Sequence, residues 1–217
     1  MDPQGHLTTG FGINKDELEY TIYDVMTEEC NIGEAMLINV VPGLNLLPSN
    51  RYLAGAEVEL VQMNNREKVV RKILNQVRDR YDFVCIDCPP SLGLITTNAL
   101  CFCDTILVPI QCEYYALEGL SQLMATVRTV KRLYNEYLEL EGVLLTMYDG
   151  RLNLTQQVVT EIKKFFPNKV YKTTIPRNVR LSEAPSFGEP IMYYDRNSKG
   201  AIAYNEFAEE FLAQQRR

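Results

Sequence analysis

Short apolar runs alternate along this chain with longer stretches in which apolar residues recur every three or four positions. Phe83-Val84-Cys85-Ile86 is a continuous apolar run, the pattern of a strand buried on both faces of a parallel sheet. Thr105-Ile106-Leu107-Val108 is another, closed by Pro109, and Leu44-Asn45-Leu46-Leu47 is a shorter candidate strand ended by Pro48. Gly142–Leu145 and Val170–Thr173 complete the set. Between them, Arg66–Arg80 carries Val69, Val70, Ile73, Leu74 and Val77 at helical spacing. Leu94–Phe102 and Asn153–Phe166 read as helices, and a final helix spans roughly Ala201–Ala213. The longest helix runs from Ala116 to about Glu139, with an apolar stripe of Leu117, Leu120, Leu123, Met124, Val127 and Val130. This alternation predicts an α/β fold, a doubly wound, mainly parallel sheet flanked by helices. With no repeats and no linker-like tracts, residues 1–217 are expected to form a single domain. Such sheets bind ligands outside the carboxyl ends of their strands, so functional residues should directly follow the strands.

Composition narrows the chemistry. The chain is 46% hydrophobic and 23% charged, ordinary for a globular protein, and no apolar stretch approaches the roughly 20 residues of a membrane span. Met1-Asp2-Pro3-Gln4-Gly5 has no basic region followed by an apolar one, so no signal peptide is read and a cytoplasmic location is expected. Cys85 and Cys88 form a C-x-x-C, but side chains three apart on a strand point to opposite faces, which makes a poor chelate. Free, mostly buried thiols are expected instead. The only histidine, His6, argues against a serine or cysteine triad. The net charge of −6 conceals an asymmetry. From Arg151 to Arg180 there are seven basic residues (Arg151, Lys163, Lys164, Lys169, Lys172, Arg177, Arg180) and one acid, Glu161. A local basic surface on an acidic protein can bind phosphates, although solvated helix faces would give the same count.

Two carboxylates carry the candidate chemistry. Asp87 directly follows Phe83–Ile86, and a carboxylate at the end of a buried parallel strand is the arrangement that helps hold Mg²⁺ or its bound water in nucleotide hydrolases. Asp2 opens Asp2-Pro3-Gln4-Gly5, which alone reads as a turn. Together, two carboxylates at neighbouring strand ends could hold a metal and orient an attacking water.

These residues also carry a resemblance. Asp2-Pro3-Gln4-Gly5 resembles the D-P-Q-G that follows the second strand of ParA-type DNA-partition ATPases. Ile86-Asp87-Cys88-Pro89-Pro90-Ser91-Leu92-Gly93-Leu94 is similar to that family's I-D-C-P-P-S-L-G-L. Two further strings match in order, Val108 to Gly119 and Ile175 to Ser186, and the Soj branch, chromosomal or plasmid, is the nearest in character. The resemblance implies a P-loop NTPase-like fold, ATP and Mg²⁺ as cofactors, and ATP hydrolysis that drives DNA partition. It implies that Asp2 positions or activates the attacking water and that Asp87 acts on Mg²⁺. Met147 and the Pro176-Arg177-Asn178 turn would lie at the adenine end, with Asn178 either the base contact or a helix cap. Glu113, Tyr114, Tyr115, Glu118 and Gly119 would lie where two ATP-bound subunits meet. Arg151 and Arg180 match positions used for nonspecific binding of double-stranded DNA by the nucleoid-associated homodimer, and a ParB-like partner would stimulate turnover.

One family element has no match. In this family a strand, a deviant P-loop (K-G-G-x-G-K-[ST]) and a helix precede D-P-Q, and no G-K-[ST] occurs in the 217 residues. The expectation is that an upstream unit of about 30 residues or more supplies it. Three rivals stand beside this reading. A MinD-like membrane ATPase would need a cationic amphipathic C-terminal helix, whereas the tail carries Glu206, Glu209 and Glu210, with Arg216 and Arg217 only at its end. An iron-protein-like electron donor would share a cluster between the cysteines of two subunits. A catalytically dead interaction module would result if the phosphate loop were truly lost.

Overall fold

The computed structural model describes residues 1–113 and 115–215. They fall into two compact units, Met1–Cys103 with Arg128–Tyr137, and Asp104–Val127 with Leu138–Arg217.

The first unit contains helices α1 (His6–Gly10), α2 (Ile22–Met26) and α3 (Ile32–Ala35), then a hairpin of β1 (Leu37–Val41) and β2 (Leu44–Leu46). Helices α4 (Leu53–Leu60), α5 (Val69–Leu74) and α6 (Leu94–Phe102) follow. The short helices depend on their caps. Thr21 and Asp24 form a capping box on α2, as Asn31 and Glu34 do on α3, so orphan amides are satisfied at each start. Ile22, Met26, Leu53, Leu60, Val70, Ile73 and Ile95 form the core. Asn98 is fully buried and fully bonded: its Oδ1 accepts from the Val70 amide, and its Nδ2 donates to the Arg66 and Leu94 carbonyls. That network ties α6 to the start of α5, where buried polar atoms would otherwise be costly.

Three expectations change in this unit. The Leu44 strand pairs antiparallel with Leu37–Val41 instead of joining a parallel sheet. The Arg66–Arg80 pattern breaks into a 3₁₀ turn, α5, further turns and a second 3₁₀ turn at Arg78–Arg80. Phe83–Ile86 is not a strand, so Asp87 does not follow one, and Phe83 is 48% exposed. A strand needs a ladder partner to satisfy its amides, and none of the described strands pairs with this segment. Its exposure also alters the cysteine picture: Cys101 and Cys112 are buried, but Cys85 is exposed and the other three are intermediate.

The second unit runs β3 (Thr105–Gln111), α7 (Ala116–Leu133, whose last residues belong to the first unit), β4 (Glu139–Tyr148), α8 (Asn153–Phe165), β5 (Val170–Pro176), α9 (Val179–Glu183), α10 (Ile191–Tyr194) and α11 (Lys199–Gln215). Its sheet has the order β3-β4-β5 and is parallel throughout. Alternation sends side chains to both faces. Val143 and Leu145 pack with Leu120 of α7 and Val158 and Ile162 of α8, while Leu144, Tyr171 and Ile175 pack with Ala203 of α11. Helices thus cover both faces, as a parallel sheet requires. Helix α7 stops well before Glu139, because Glu139 is the register partner of Thr105 and the ladder claims it. Pro109 does not close β3, which continues to Gln111. As the outer strand of the three, β3 has a side on which a missing N–H breaks no ladder bond.

The other outer strand, β5, is bulged. Between the Val143–Val170 and Leu145–Thr174 pairs it uses two more residues than β4. Gly142 makes room for the bulge, since a Cβ there would lie 2.5 Å from Cε2 of Tyr171. The amides of Lys172 and Thr173 are both taken by the Glu210 carboxylate of α11, at 2.9 Å each, and the Thr173 hydroxyl donates to it at 2.7 Å. Loss of hydration pushes the Glu210 carboxyl up, but these donors and the Lys172 charge outweigh it and hold its pKa below the ordinary value. Glu210→Gln is therefore expected to cost about 1–2 kcal/mol in urea unfolding at neutral pH. A carboxylate with a depressed folded pKa stabilises fully above the unfolded value of about 4.3 and loses that contribution as pH falls through the folded pKa. The wild-type and Glu210→Gln stabilities should converge in acid. A gap that is constant with pH would show that charge is not what matters there.

Among the described residues, no helix is long and apolar enough to cross a membrane.

Candidate functional site

In the first unit, Asp2 and Asp87 line one cavity with Gly5, Thr8 and Ser49. Asp2-Pro3-Gln4-Gly5 does form a turn. The Gly5 amide donates to the Asp2 carbonyl and the Gln4 amide to Asp2 Oδ1, both at 2.9 Å, with Pro3 at the position that favours its fixed φ. The turn does not consume the carboxylate. Asp2 Oδ2 lies 3.7 Å from His6 Nδ1, and the side chain is only 14% exposed. Turn and site are one structure here.

Gly5 could hardly be another residue. Its φ of 61° is left-handed, and a Cβ would lie 2.5 Å from the Ser49 carbonyl oxygen. That close approach seats the turn against Ser49. The Ser49 hydroxyl donates to the Asp2 carbonyl at 2.8 Å, the Ser49 amide donates to Thr8 Oγ1, and the Thr8 hydroxyl donates to the Ser49 carbonyl. Thr8 and Ser49 were not singled out by sequence. Ser49 follows a candidate strand and Pro48, but it is not a carboxylate and its neighbours made it look like an ordinary loop residue.

Asp87 is accessible, yet neighbouring protein strips enough water from its carboxyl to push its pKa up. The Asp2 carboxylate adds to that upward shift. Two hard oxygen donors in one cavity suit Mg²⁺, which takes one or two protein carboxylates and fills its remaining positions with phosphate and water. No group of three or more His, Cys, Asp or Glu that could hold a metal is gathered among the described residues.

In the second unit the remaining candidates lie at the ends of the three parallel strands or after them. After β3 come Glu113, Tyr115, Glu118 and Gly119, all exposed or partly so, while Tyr114 lies outside the described residues. Met147 sits near the end of β4 and Pro176 closes β5, with Tyr148 and Pro176 in register. Met147 has φ 51° and takes up the extra residue that β4 carries between Leu145 and Tyr148. A left-handed, unbranched, part-exposed residue at a strand end is a strained position of the kind found at ligand sites. Asn178 caps α9: its Oδ1 accepts from the Arg180 amide at 3.0 Å. The cap reading of Asn178 is thus realised, and it occupies one of the side chain's two polar atoms.

The basic candidates follow the same strands, and each is already paired. Arg151 grips Asp149 with both arms of its fork, Nε to Oδ1 at 2.9 Å and Nη2 to Oδ2 at 2.7 Å. These bonds hold the Asp149 carboxyl down to about 2. Arg180 meets Glu183 at 2.8 Å and Asp195 at 3.4 Å. Elsewhere in the segment, Lys163 and Lys164 occupy the last turn of α8, where they complement the helix dipole, and Lys164 also pairs with Glu161. The acidic partners of the arginines were missed, because a net charge count does not reveal which acids lie beside which bases.

A family model described as an AAA domain matches residues 1–140. The chain is 51% identical over 213 residues to the sporulation initiation inhibitor protein Soj of Bacillus subtilis, covering 98% of this chain and 84% of that protein. It is 48% identical over 212 residues to the chromosome partitioning protein ParA of Myxococcus xanthus, covering 98% of this chain and 75% of that protein. Among solved structures, cobyrinic acid a,c-diamide synthase of Mycobacterium smegmatis, crystallised with ADP and magnesium, superposes with a TM-score of 0.83 at 34% identity. That match covers 99% of this chain and 80% of that one. The sheet is the parallel, helix-flanked sheet of a P-loop NTPase-like fold. With nearly its whole length aligned at such identities, the chain belongs to the Soj/ParA family of chromosome-partitioning ATPases.

Proposed function

We propose that this protein is an ATP-dependent DNA-partition ATPase whose ATP-bound homodimer binds double-stranded DNA without sequence preference and whose turnover is stimulated by a ParB-like partner. The observation that supports this most is positional. Every candidate in the second unit lies at the carboxyl end of one of three adjacent parallel strands or after it, where open α/β sheets bind their ligands. The two carboxylates of the first unit share a cavity of matching chemistry. Mg²⁺, when bound with ATP, would neutralise charge developing on the phosphate oxygens. Asp87 is the carboxylate that would hold the metal or its bound water. Asp2 orients the attacking water and accepts its proton, with Ser49 fixing the turn on which Asp2 stands. Met147 and Pro176 receive the adenine, and the Asn178 side chain holds their turn on α9 while leaving its amide group for the base. Glu113, Tyr114, Tyr115, Glu118 and Gly119 form the face that meets the second subunit. A cytoplasmic, nucleoid-associated location follows from this reading, as does a single ATPase domain over residues 1–217.

Calorimetric titration of the full-length protein with ATP, with and without Mg²⁺, tests the assignment. Asp87→Asn is expected to remove most of the gain in affinity that Mg²⁺ confers, a loss of about 10- to 100-fold. Affinity in metal-free buffer should change little. If Asp87→Asn keeps the full Mg²⁺-dependent gain, the carboxylate does not serve the metal.

A further inference from the structure

The pairing of Arg151 with Asp149 bears on how strongly this surface can hold DNA. We propose that Asp149 is an intramolecular competitor of the DNA phosphate for Arg151, so that this loop restrains its own binding. The inference rests on the DNA-binding reading given above and adds a determinant of its strength.

A carboxylate and a phosphate present the same partner to a guanidinium, two oxygens spaced for a fork of two parallel N–H bonds. Asp149 fills that fork on its Nε side, so a phosphate gains the same bidentate grip only if the pair opens or rotates aside. The loop geometry also makes the pair local and self-contained. The Arg151 amide donates to Asp149 Oδ1 at 3.1 Å and the Leu152 amide to the Asp149 carbonyl at 3.2 Å, so acid and base are held two residues apart by the turn itself. The Arg151 side chain is 90% exposed, open to a ligand the size of a duplex. Arg180 is also paired with acids, though by single contacts to two of them, Glu183 and Asp195. Exposed ion pairs are weak, so the restraint is modest, a factor of about 3 to 5 per chain. A duplex can overcome it while single, scattered phosphates compete poorly.

Asp149→Asn removes the charge and keeps an oxygen able to accept from the Arg151 amide, so the turn survives. Binding of the full-length protein with ATP and Mg²⁺ to a mixed-sequence duplex would be measured across a salt series for four forms: wild type, Asp149→Asn, Arg151→Ala and the double variant. The expected result is a gain of about 3- to 5-fold for Asp149→Asn, greatest at low salt, that disappears in the Arg151→Ala background. An equal gain in that background would overturn the proposal, since Asp149 would then only repel DNA in general. No gain, or a loss, in Asp149→Asn while Arg151→Ala weakens binding would also overturn it, and would leave the DNA-binding reading standing. If Arg151→Ala itself changes nothing, the DNA-binding reading of this arginine fails, and the proposal with it.

Discussion

Asp2→Ala is expected to bind ATP almost as the wild type does and to lose turnover by about 100-fold or more. A positioned general base contributes roughly 10²- to 10⁴-fold, and Asp2 is the carboxylate proposed to act on water. The structure adds a complication that the experiment must separate. Asp2 Oδ1 also accepts from the Gln4 amide, so alanine removes a turn bond as well as a base. Asp2→Asn keeps an acceptor for that amide but cannot take a proton, and it should be nearly as slow as Asp2→Ala. Single-turnover hydrolysis and equilibrium ATP binding on both variants would decide the matter. The slow variants should accumulate as ATP-bound dimers, visible by light scattering. If Asp2→Asn retains normal turnover while Asp2→Ala does not, the side chain serves the turn and not the water. Normal turnover in both would remove Asp2 from the mechanism.

The second large effect is expected on DNA. Arg151→Ala combined with Arg180→Ala should weaken binding of the ATP-bound protein to unrelated duplexes alike, by roughly 100-fold at low salt. Each phosphate that is no longer neutralised should flatten the log–log salt dependence by about 0.9. Two such patches on one dimer act on one duplex, so the loss should be larger for the dimer than for the monomer. Folding should be unaffected, because both arginines are substantially exposed, 90% and 54%, and their ion pairs lie at the surface. Electrophoretic or anisotropy titrations on two sequences across a salt series would check this. Affinity and slope unchanged in the double variant would leave the basic segment as solvated surface. Preference for one sequence, with the slope preserved, would point to base contacts that this surface is not proposed to make.

Much of the second unit was legible from local pattern. Thr105, Gly142 and Val170 each start or lie in a run whose apolar content suffices for a buried strand, and the helices between them show clear 3.6-residue periodicity. Leu94–Phe102, in the first unit, is found with its predicted bounds, and α8 and α11 agree to within two residues at each end. The strands come out longer than predicted. Once three strands lie side by side, backbone pairing extends them through residues with no strand signal of their own, such as Glu139 and Pro109.

The rest of the first unit was read less well, for the complementary reason. Apolar content says that a segment can be a strand, but hydrogen bonds to a neighbour decide whether it is one. Phe83–Ile86 has the content but joins neither sheet, while Leu37–Val41, not singled out, finds Leu44–Leu46 and becomes a strand.

The same division holds at the candidate site. Residue type and order marked Asp87 and the basic segment that holds Arg151 and Arg180, because a carboxylate after an apolar run or a cluster of bases is visible in one dimension, whereas Met147, Pro176 and Asn178 came only from the resemblance to ParA-type ATPases. Packing alone decided that Ser49 anchors the Asp2 turn and that Met147 takes a left-handed backbone. The fold also pairs Arg180 with Asp195, well beyond its own helix, and brings Glu210 to a bulge in β5 that no local pattern foretells. Local pattern records what each residue can do; long-range pairing of donors with acceptors, and of bases with acids, is settled only when distant segments meet.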